Sequence, residues 1–364
     1  ANVTMFEDDI ITVFVDGATS TDEAIGITKY DGIGNISAMQ LAKRNLTIGS
    51  GDAPTITNSD INYYENSNDE DLFYSVDGSN VLSLCAESAC TDAKLRVLSG
   101  STYQPNTDGS VINFENYGTF APATSTMRVS GNWTQNGTFT VSASTIIFTA
   151  TTSSLTLQSS TSSLAFNNVT FGETSGSATW TPNKTISADG SIVINYGTLA
   201  RGTSTINVGG NLQIGASGYM TGLATTTFNG SGSYTWSDAK SSTTSTNIGY
   251  AVIDGSAKTI TLGGNVAAES ITIGIDDTFN ASGSGYNVNV YSSWINNNSF
   301  IPQSGTVTFV GTSSATINRG SSSFNNLTFS GVGGSWSFST STLALNGNLT
   351  IATGTVTLPT GTTT

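Results

Sequence analysis

Apolar and polar residues alternate along most of the chain, in runs of four to eight residues. Residues 204–215, STINVGGNLQIG, are a clear example, with Ile, Val and Leu alternating with Thr, Asn and Gln. Such runs, rich in Val, Ile, Thr, Phe and Trp and bounded by Gly, Asn or Ser, are typical of half-buried β-strands. The pattern therefore predicts an all-β chain. The propensities of AMQLAKRNL at 38–46 favour a single helical turn.

A phrase of six residues returns in the chain at long intervals. FNNVTF at 166–171 is repeated as FNNLTF at 324–329, and IGYAVI at 248–253 is a diverged form between them. The other strand-like runs occur before and after each phrase in one constant order. Three copies in the same order predict an internal repeat of about eighty residues.

The repeat divides the second part of the chain into three copies. Their first strands contain Trp133, Leu212 and Trp294, which are 79 and 82 residues apart. The sequence predicts a repeat region at 110–364 that follows an acidic, mainly β N-terminal region at 1–109, a cap or assembly element. The predicted copies are approximately 130–208, 209–290 and 291–364.

Two architectures accommodate many short strands joined by polar turns. Tandem β-sandwich domains should be joined by recognisable linkers. Residues 178–212 instead pass from one copy to the next without a Pro-rich or charged break. A parallel β-solenoid, or β-helix, winds without interruption and buries the inward side chains of each coil against its neighbours. We therefore predict a parallel β-solenoid, with tandem β-sandwiches as the alternative.

Charge is scarce and unevenly distributed along the chain. Charged residues make up 10 %, and the formal net charge is −14. Residues 1–130 carry 18 acidic and 6 basic side chains, whereas 131–364 carry 7 and 5. An acidic chain without a basic stripe would repel phosphate backbones and anionic lipids, so we expect neither nucleic-acid nor membrane-surface binding. The expected partners are further copies of this chain, cell-surface proteins, glycans or cations.

Several stretches resemble the degenerate repeats of a known class of proteins. GNWTQNGTF, STIIFTA, FNNLTF and GNLTIATGTV are similar to repeats of large exported bacterial surface proteins with β-helical architecture, the filamentous-haemagglutinin-like and autotransporter-passenger chains. The resemblance covers residues 110–364. It implies a right-handed β-helix displayed outside the cell, and it brings no catalytic residues.

Three features favour export. Cys85 and Cys90 are five positions apart and could close a small disulfide loop, with two inert thiols as the alternative. The sequence begins with Ala, which would fit a removed secretory signal, and it contains no apolar run long enough for a membrane span. Sequons are numerous, and the candidate glycosylation sites are Asn132, Asn168 and Asn326. We predict a secreted or cell-surface protein.

Candidate catalytic groups are few. The chain has no His, which excludes a His-dependent triad and leaves a zinc site without enough ligands. Asp276 and Asp277 are the only adjacent carboxylates in the repeat region, and neighbours on a strand point to opposite faces. We interpret this pair as a solvated turn and predict that the protein is not an enzyme.

Calcium is the one cofactor that the sequence suggests. The acidic stretch at 65–78 contains four candidate ligands, Asp69, Glu70, Asp71 and Asp77, and calcium prefers such oxygen ligands. The stretch lacks the Gly and Glu of a helix-loop-helix calcium site. A solvated acidic loop is therefore the alternative interpretation.

The segment IITVFV at 10–15 is apolar on both faces, which predicts a fully buried strand. We identify it as a candidate strand-exchange segment, through which one subunit would complete the sheet of the next. An ordinary intramolecular first strand, or cap, is the alternative. The residues concerned are Ile10, Ile11, Val13, Phe14 and Val15.

The sequence thus predicts an extracellular structural protein, a surface or filament-forming β-solenoid subunit that polymerises by terminal strand addition. An adhesin that binds a glycan or another ligand is the first alternative. Its candidate contacts are four aromatic residues that could instead pack inside the protein: Tyr219, Tyr234, Trp236 and Tyr286. A polysaccharide-active β-helix enzyme is the second alternative.

Overall fold

The computed structural model describes residues 4–17, 22–85 and 92–361. They form two compact units, one of residues 1–178 and 182–184 and the other of residues 179–181 and 185–364. Both units are parallel β-solenoids, with about 16 turns in all, 46 % strand and 1 % helix. The predicted all-β solenoid is confirmed, and the alternative of tandem β-sandwiches is not observed.

The first unit contains strands β1 to β18 and one short helix, α1, among its described residues. These elements are β1 (Ile10–Phe14), β2 (Ile25–Lys29), β3 (Asn45–Ile48), β4 (Thr55–Ile56), α1 (Asn58–Ile61), β5 (Tyr74–Val76), β6 (Leu82–Leu84), β7 (Lys94–Val97), β8 (Thr102–Tyr103), β9 (Gly109–Val111), β10 (Asn113–Asn116), β11 (Thr119–Phe120), β12 (Thr126–Val129), β13 (Trp133–Gln135), β14 (Thr138–Phe139), β15 (Thr145–Phe148), β16 (Ser154–Ser159), β17 (Ser163–Phe166) and β18 (Asn168–Phe171).

The second unit contains the remaining strands, of which the first ends at the boundary between the units. They are β19 (Thr179–Pro182), β20 (Thr185–Ala188), β21 (Ile192–Ala200), β22 (Ile206–Val208), β23 (Leu212–Thr221), β24 (Thr225–Phe228), β25 (Gly232–Asp238), β26 (Tyr250–Ile253), β27 (Lys258–Leu262), β28 (Val266–Ala268), β29 (Ser270–Ile273), β30 (Thr278–Asn280), β31 (Val288–Val290), β32 (Trp294–Asn296), β33 (Ser299–Ile301), β34 (Thr306–Phe309), β35 (Ser314–Asn318), β36 (Asn326–Phe329), β37 (Ser335–Phe338), β38 (Leu349–Ile351) and β39 (Thr355–Thr357).

One coil of the solenoid takes about twenty residues. Partners in neighbouring parallel strands are 19 residues apart at Phe114 and Trp133, and 26 apart at Gly232 and Lys258. Within most strands, buried residues alternate with partly or fully exposed ones, because successive side chains of a strand point to opposite faces. Each coil therefore contributes apolar side chains to the interior and polar ones to the surface.

The N-terminal part of the chain already belongs to the solenoid. β2 pairs in parallel with β3, and β3 with β7, so the coils begin before residue 110. The step from β3 to β7 spans an insertion that carries α1 and the antiparallel hairpin of β5 and β6. The helical turn predicted at 38–46 is wrong. The helix begins instead after Thr57, because Thr57 and Asp60 form a capping box.

β1 covers the first coil as an antiparallel strand of the same chain. It pairs with β2 from Ile10 opposite Lys29 to Phe14 opposite Ile25, which is the intramolecular alternative. The predicted full burial is wrong, since the β1 side chains are partly exposed and Val13 is 37 % exposed. The reason is its edge position: among the described residues β1 pairs with β2 alone.

The three repeated phrases make the same strand pairing. β18 lies against β15 with Phe171 opposite Phe148, and β36 lies against β34 with Phe329 opposite Phe309. The diverged phrase follows the same register, since β26 lies against β24 with its last residue opposite the Phe that ends β24. The correspondence predicted between these phrases is confirmed, although the boundaries of the copies stay a prediction.

The sequence repeat is not a whole number of coils. Within the second unit, Leu212 pairs with Trp236, whereas its counterpart Trp294 pairs with Ile271 and Ile317 in a different sheet. Leu212 and Trp294 are 82 residues apart, and coils of 19–26 residues do not divide that length evenly. Corresponding strands of two copies can therefore lie in different sheets of the solenoid, because the sheets each bury one face and expose the other.

Aromatic side chains fill the interior in a recurring arrangement. In the first unit, the Trp133 ring lies 6.0 Å from the Phe139 ring and 5.8 Å from the Phe166 ring. In the second unit, the corresponding Trp294 ring lies 4.8 Å and 5.5 Å from its two corresponding Phe rings. Both Trp side chains are fully buried. The first and third copies thus repeat their packing as well as their sequence.

The indole of Trp133 is expected to stabilise the first unit through packing rather than hydrogen bonding. Its Nε1 is buried without a hydrogen-bond partner among the described residues. Trp133→Ala should lower the free energy of unfolding by roughly 3–5 kcal/mol, since it opens a large cavity. Trp133→Phe should cost much less, because the ring packing remains and no hydrogen bond is lost. Chemical denaturation of both variants measures the difference, and equal losses would contradict this account.

Candidate functional site

A polar groove crosses the outward face of β7, β10, β13 and β16 in the first unit. The register brings outward side chains of successive coils into two rows. The groove has a volume of about 670 Å³ and is open to solvent. Neighbouring coils are about 4.8 Å apart, so an extended ligand could contact one side chain per coil. We call it the unit 1 groove; its two rows are Arg96, Glu115, Thr134 and Gln158, and Lys94, Asn113, Asn132 and Thr156.

The charges of the unit 1 groove are paired. The Glu115 carboxylate accepts hydrogen bonds from Lys94 Nζ at 2.7 Å and from Arg96 Nε and Nη2 at 3.0 and 2.6 Å. Partial burial acts to raise the pKa of Glu115, but the hydrogen bonds and charges of Lys94 and Arg96 outweigh it and hold that pKa below its usual value. At one end of the groove, Arg44 forms an ion pair with Asp92.

Glu115 should therefore stabilise the fold in a pH-dependent way. Because the folded state lowers its pKa, its contribution is complete above the unfolded-state pKa of about 4.3 and is lost as the pH falls through the lower folded-state pKa. Glu115→Gln should cost of order 1 kcal/mol at pH 7, and this difference from the wild type should shrink toward zero in acid. Thermal unfolding measured from pH 7 to pH 3 tests this prediction, with the exposed Glu7→Gln as the control. A difference that grows in acid would contradict it.

Asparagine side chains that line this groove join successive coils. The backbone N–H of Asn132 donates to Asn113 Oδ1 at 2.8 Å, and the N–H of Thr156 donates to Asn132 Oδ1 at 2.8 Å. The same contact recurs in the second unit, where the N–H of Asn348 donates to Asn326 Oδ1 at 2.9 Å. Two of the predicted glycosylation sites thus serve as links between coils.

Glycosylation itself stays a prediction. Asn132 is exposed, whereas Asn326 and the third candidate, Asn168, are partly buried. The Asn168 Nδ2, the atom that a glycan would modify, donates to Asn167 Oδ1 at 2.7 Å. Asn132 therefore offers the most accessible of the three side chains.

The aromatic residues considered for ligand binding have other contacts. Trp236 is fully buried, and its ring lies 5.5 Å from that of Phe228. Tyr219 is half-exposed, but Lys240 Nζ lies 4.6 Å from its ring. The Tyr234 hydroxyl donates to a backbone carbonyl three residues earlier at 2.6 Å, and Tyr286 is partly buried. For Trp236 the interpretation as a packed interior residue is confirmed.

An exposed aromatic residue that the sequence analysis did not single out lies beside the unit 1 groove. Tyr117 is 42 % exposed, and the Arg96 guanidinium lies 5.8 Å from its ring centroid. A stacked guanidinium holds the ring in place, and the free ring face can contact an apolar ligand surface. Tyr117 directly follows β10, whose alternation could have indicated its exposure.

The second unit has a smaller groove of different chemistry. Its volume is about 400 Å³, and the side chains that line it carry no charge. The loop at one edge is held by the Asn289 amide, which donates to the Ser242 carbonyl. We call it the unit 2 groove; it is lined by Ser242, Thr243, Asn287, Asn289, Tyr291, Thr306, Thr308, Val310 and Ser330.

Three of the four predicted calcium ligands accept hydrogen bonds from backbone N–H groups. Asp69 Oδ1 accepts from the N–H of Asp71 at 3.0 Å, and Asp71 Oδ2 accepts from the N–H of Gly17 at 2.7 Å. Asp77 Oδ1 accepts from two backbone N–H groups that follow it, and Glu70 is exposed. Within residues 4–17, 22–85 and 92–361, no three His, Cys, Asp or Glu side chains are grouped to hold a metal ion. Calcium binding stays a prediction.

The cysteine pair is only half within the described residues. Cys85 follows β6, and its backbone N–H donates to the Phe73 carbonyl at 2.7 Å. Cys90 lies outside the described residues. The disulfide between Cys85 and Cys90 therefore stays a prediction.

Buried charged residues of the second unit escaped the sequence analysis, among them Arg201 and the pair of Lys258 and Asp277. Arg201 is 1 % exposed and donates to the carbonyls of Gly222, Ala224 and Ile248, and burial lowers its pKa to about 10. Asp277, interpreted as part of a solvated turn, is instead 1 % exposed and paired with Lys258. That interpretation is wrong for Asp277. Lys258 starts a period-two run with two apolar residues, which could have indicated its inward position.

The chain was compared with protein families, curated proteins and solved structures. No family model, curated protein or solved structure matches the chain. In the part of the chain that the structure describes, no helix is long and apolar enough to cross a membrane.

Proposed function

We propose that the protein is an extracellular structural protein whose β-solenoid acts as a rigid spacer at a cell surface or in a filament. The observation that carries this proposal is the unbroken series of parallel strand pairs in each unit, such as β22 with β24, β24 with β26, and β26 with β29. Each pair adds backbone hydrogen bonds between coils, and the coils share one apolar interior. Such a stack resists bending and extension.

The surface chemistry supports a role outside the cell in contact with other copies. The chain from residue 131 onwards has a net charge of only −2, and its outward strand positions are largely Ser, Thr and Asn. A weakly charged polar exterior permits lateral packing without strong repulsion. The resemblance to exported bacterial surface proteins supports the same location.

Self-association is proposed to use the free edge of β1. β1 has one strand partner among the described residues, and an unpaired edge presents backbone N–H and C=O groups to a further strand. Val13 and Val15 are 37 % and 40 % exposed beside this edge. A strand of a second copy would pair there by strand addition, without removing β1 from β2.

Val13→Lys should therefore reduce polymer formation without unfolding the protein. A lysine on an edge strand disfavours pairing with another chain, and Val13 is already partly exposed. Phe6→Lys is the matched control, since Phe6 is 70 % exposed and lies outside the strand. Sedimentation velocity and electron microscopy at high protein concentration measure assembly. Wild-type protein that stays monomeric, or V13K protein that polymerises like the wild type, would contradict the proposal.

The groove carboxylates support a non-catalytic role. Glycoside hydrolysis generally requires one protonated and one ionised carboxyl group. In the unit 1 groove, Glu115 is held ionised by Lys94 and Arg96, and Asp92 is paired with Arg44. A catalytic acid must stay protonated, and the two cations beside Glu115 disfavour its protonated form.

A second candidate function is adhesion, with an extended polar ligand in the unit 1 groove. The observation that favours it is the pair of side-chain rows that repeats a hydrogen-bonding surface from coil to coil. A glycan chain that carries carboxylate groups would match Lys94 and Arg96 for charge. The adjacent face of Tyr117 would match the apolar face of a sugar ring.

Thr134→Arg should abolish glycan binding if the groove has this role. Thr134 lies in the middle of the row of Arg96, Glu115 and Gln158, so a long side chain there would obstruct the groove. Thr316→Arg is the matched control, because Thr316 is also an outward threonine in the middle of a strand, β35. Binding to neutral and uronate-containing oligosaccharides is measured by calorimetry or on a glycan array. Equal binding by both variants, or no binding by the wild type, would exclude the adhesin.

A further inference from the structure

Lys258 and Asp277 form an ion pair that is closed to solvent inside the second unit. Their side chains are 0 % and 1 % exposed, and Lys258 Nζ lies 3.1 Å from Asp277 Oδ1. Lys258 starts β27 and Asp277 directly precedes β30, and the two strands pair with Thr259 opposite Thr278. The two residues therefore lie side by side on neighbouring coils, held together by the fold itself.

The buried ammonium has too few acceptors. It has three N–H donors, and among the described residues its one hydrogen-bond acceptor is Asp277 Oδ1. The same oxygen also accepts the backbone N–H of Lys258 at 3.1 Å. A buried donor without a partner is costly, and a buried charge more so. The ion pair is thus an expensive arrangement for this position.

A second buried lysine, Lys240, forms an ion pair in which the ammonium has several hydrogen-bond acceptors. Lys240 Nζ lies 3.5 Å from Asp238 Oδ1, and it also donates to the carbonyls of Gly215 and Gly218. Three acceptors therefore surround that ammonium, against one for Lys258. The Lys240 pair is therefore stable as an ion pair, whereas the Lys258 pair would become more stable if both of its charges were removed.

We propose that Lys258 and Asp277 condense after folding into an intramolecular isopeptide bond between the two coils. One proton first passes from Nζ to the Asp277 carboxylate, which leaves a neutral amine and a neutral carboxylic acid. Nζ then attacks Cγ, the Nζ–Cγ bond forms, and one Cγ–O bond breaks as a second Nζ proton joins the departing hydroxyl group. From an ammonium and a carboxylate the product is one amide and one water molecule, so no oxidant, reductant or cofactor is required. The amide is neutral and has a single N–H donor.

The site supplies the two conditions that this condensation needs. The reacting groups are already in contact, and such fixed proximity replaces the entropic cost of bringing them together. The side chains are buried, so bulk water is excluded from the product. The inference rests on the geometry of this pair and is independent of the proposed function.

Asp254 lies close to the carboxyl group of Asp277. Asp254 Oδ1 and Asp277 Oδ2 lie 3.0 and 2.5 Å from the point where a Cβ on Gly274 would project. The absence of a side chain at Gly274 therefore leaves the two carboxyl groups close together. Asp254 itself is exposed. We assign it as a positioning residue that relays a proton to the leaving oxygen.

Mass spectrometry of the reduced, denatured full chain tests the proposal. The wild type should have a mass lower than that of its sequence by one water molecule, and a protease digest should contain one branched species that joins the Lys258 and Asp277 peptides. Lys258→Met and Asp277→Ala should restore the full mass and separate peptides. Lys240→Met, the control in the satisfied pair, should retain the loss of water and the branched species.

The outcomes are distinct even if a variant fails to fold, because the wild-type peptide map alone decides. Full mass with separate peptides after prolonged incubation overturns the proposal. So does a loss of water confined to one unbranched peptide, as a succinimide at an Asp-Gly sequence such as Asp254–Gly255 would give. Asp254→Asn should increase the unlinked fraction of freshly purified protein, and an unchanged fraction would overturn the role of Asp254.

Discussion

Parallel pairing between successive coils is the constraint on which the rest of the structure depends. It requires that the inward side chains of each coil stack in register on those of the coil before it, one strand spacing away. The aromatic contacts show the result, since Phe171 stacks on Phe148 at 5.2 Å and Phe329 stacks on Phe309 at 5.4 Å. Variation in coil length must be absorbed in the turns, because a slip of one residue in a strand would turn its apolar side chains outward.

The turns meet this constraint with small and amide side chains. A Cβ on Gly118 would lie 2.2 Å from the Leu98 carbonyl oxygen, and one on Gly137 would lie 2.1 Å from that of Gly118. Coils approach so closely at this corner that only glycine fits. Elsewhere, Asn113 and Asn132 accept backbone N–H groups of the next coil. The abundance of Gly and Asn is thus a consequence of stacking.

The regular part of the fold could be predicted from the sequence because its cause is local. Alternation identifies the inward residues of a strand, and the phrases that end in Phe171 and Phe329 keep the same register. The edge strand β1 could not be predicted correctly, since alternation does not reveal how many neighbours a strand has. The residues of the unit 1 groove could not be predicted from the sequence either. Steps of 19 residues from Asn113 to Asn132 and 24 from Asn132 to Thr156 leave no constant spacing to recognise.

Buried charge is the second feature that sequence alone did not reveal, and Arg201 shows how the solenoid accommodates it. At a coil corner, backbone carbonyls turn away from the strand ladder and require donors. The planar guanidinium reaches the carbonyls of Gly222 and Ala224 on one coil and of Ile248 on the next. Burial lowers its pKa only to about 10, so it remains charged at neutral pH and links two coils by charge-assisted hydrogen bonds. A lysine has three N–H donors on a flexible side chain and lacks the fixed planar arrangement of the guanidinium donors. An inward cation is therefore tolerated in this fold where the corner supplies as many acceptors as the side chain has donors to satisfy.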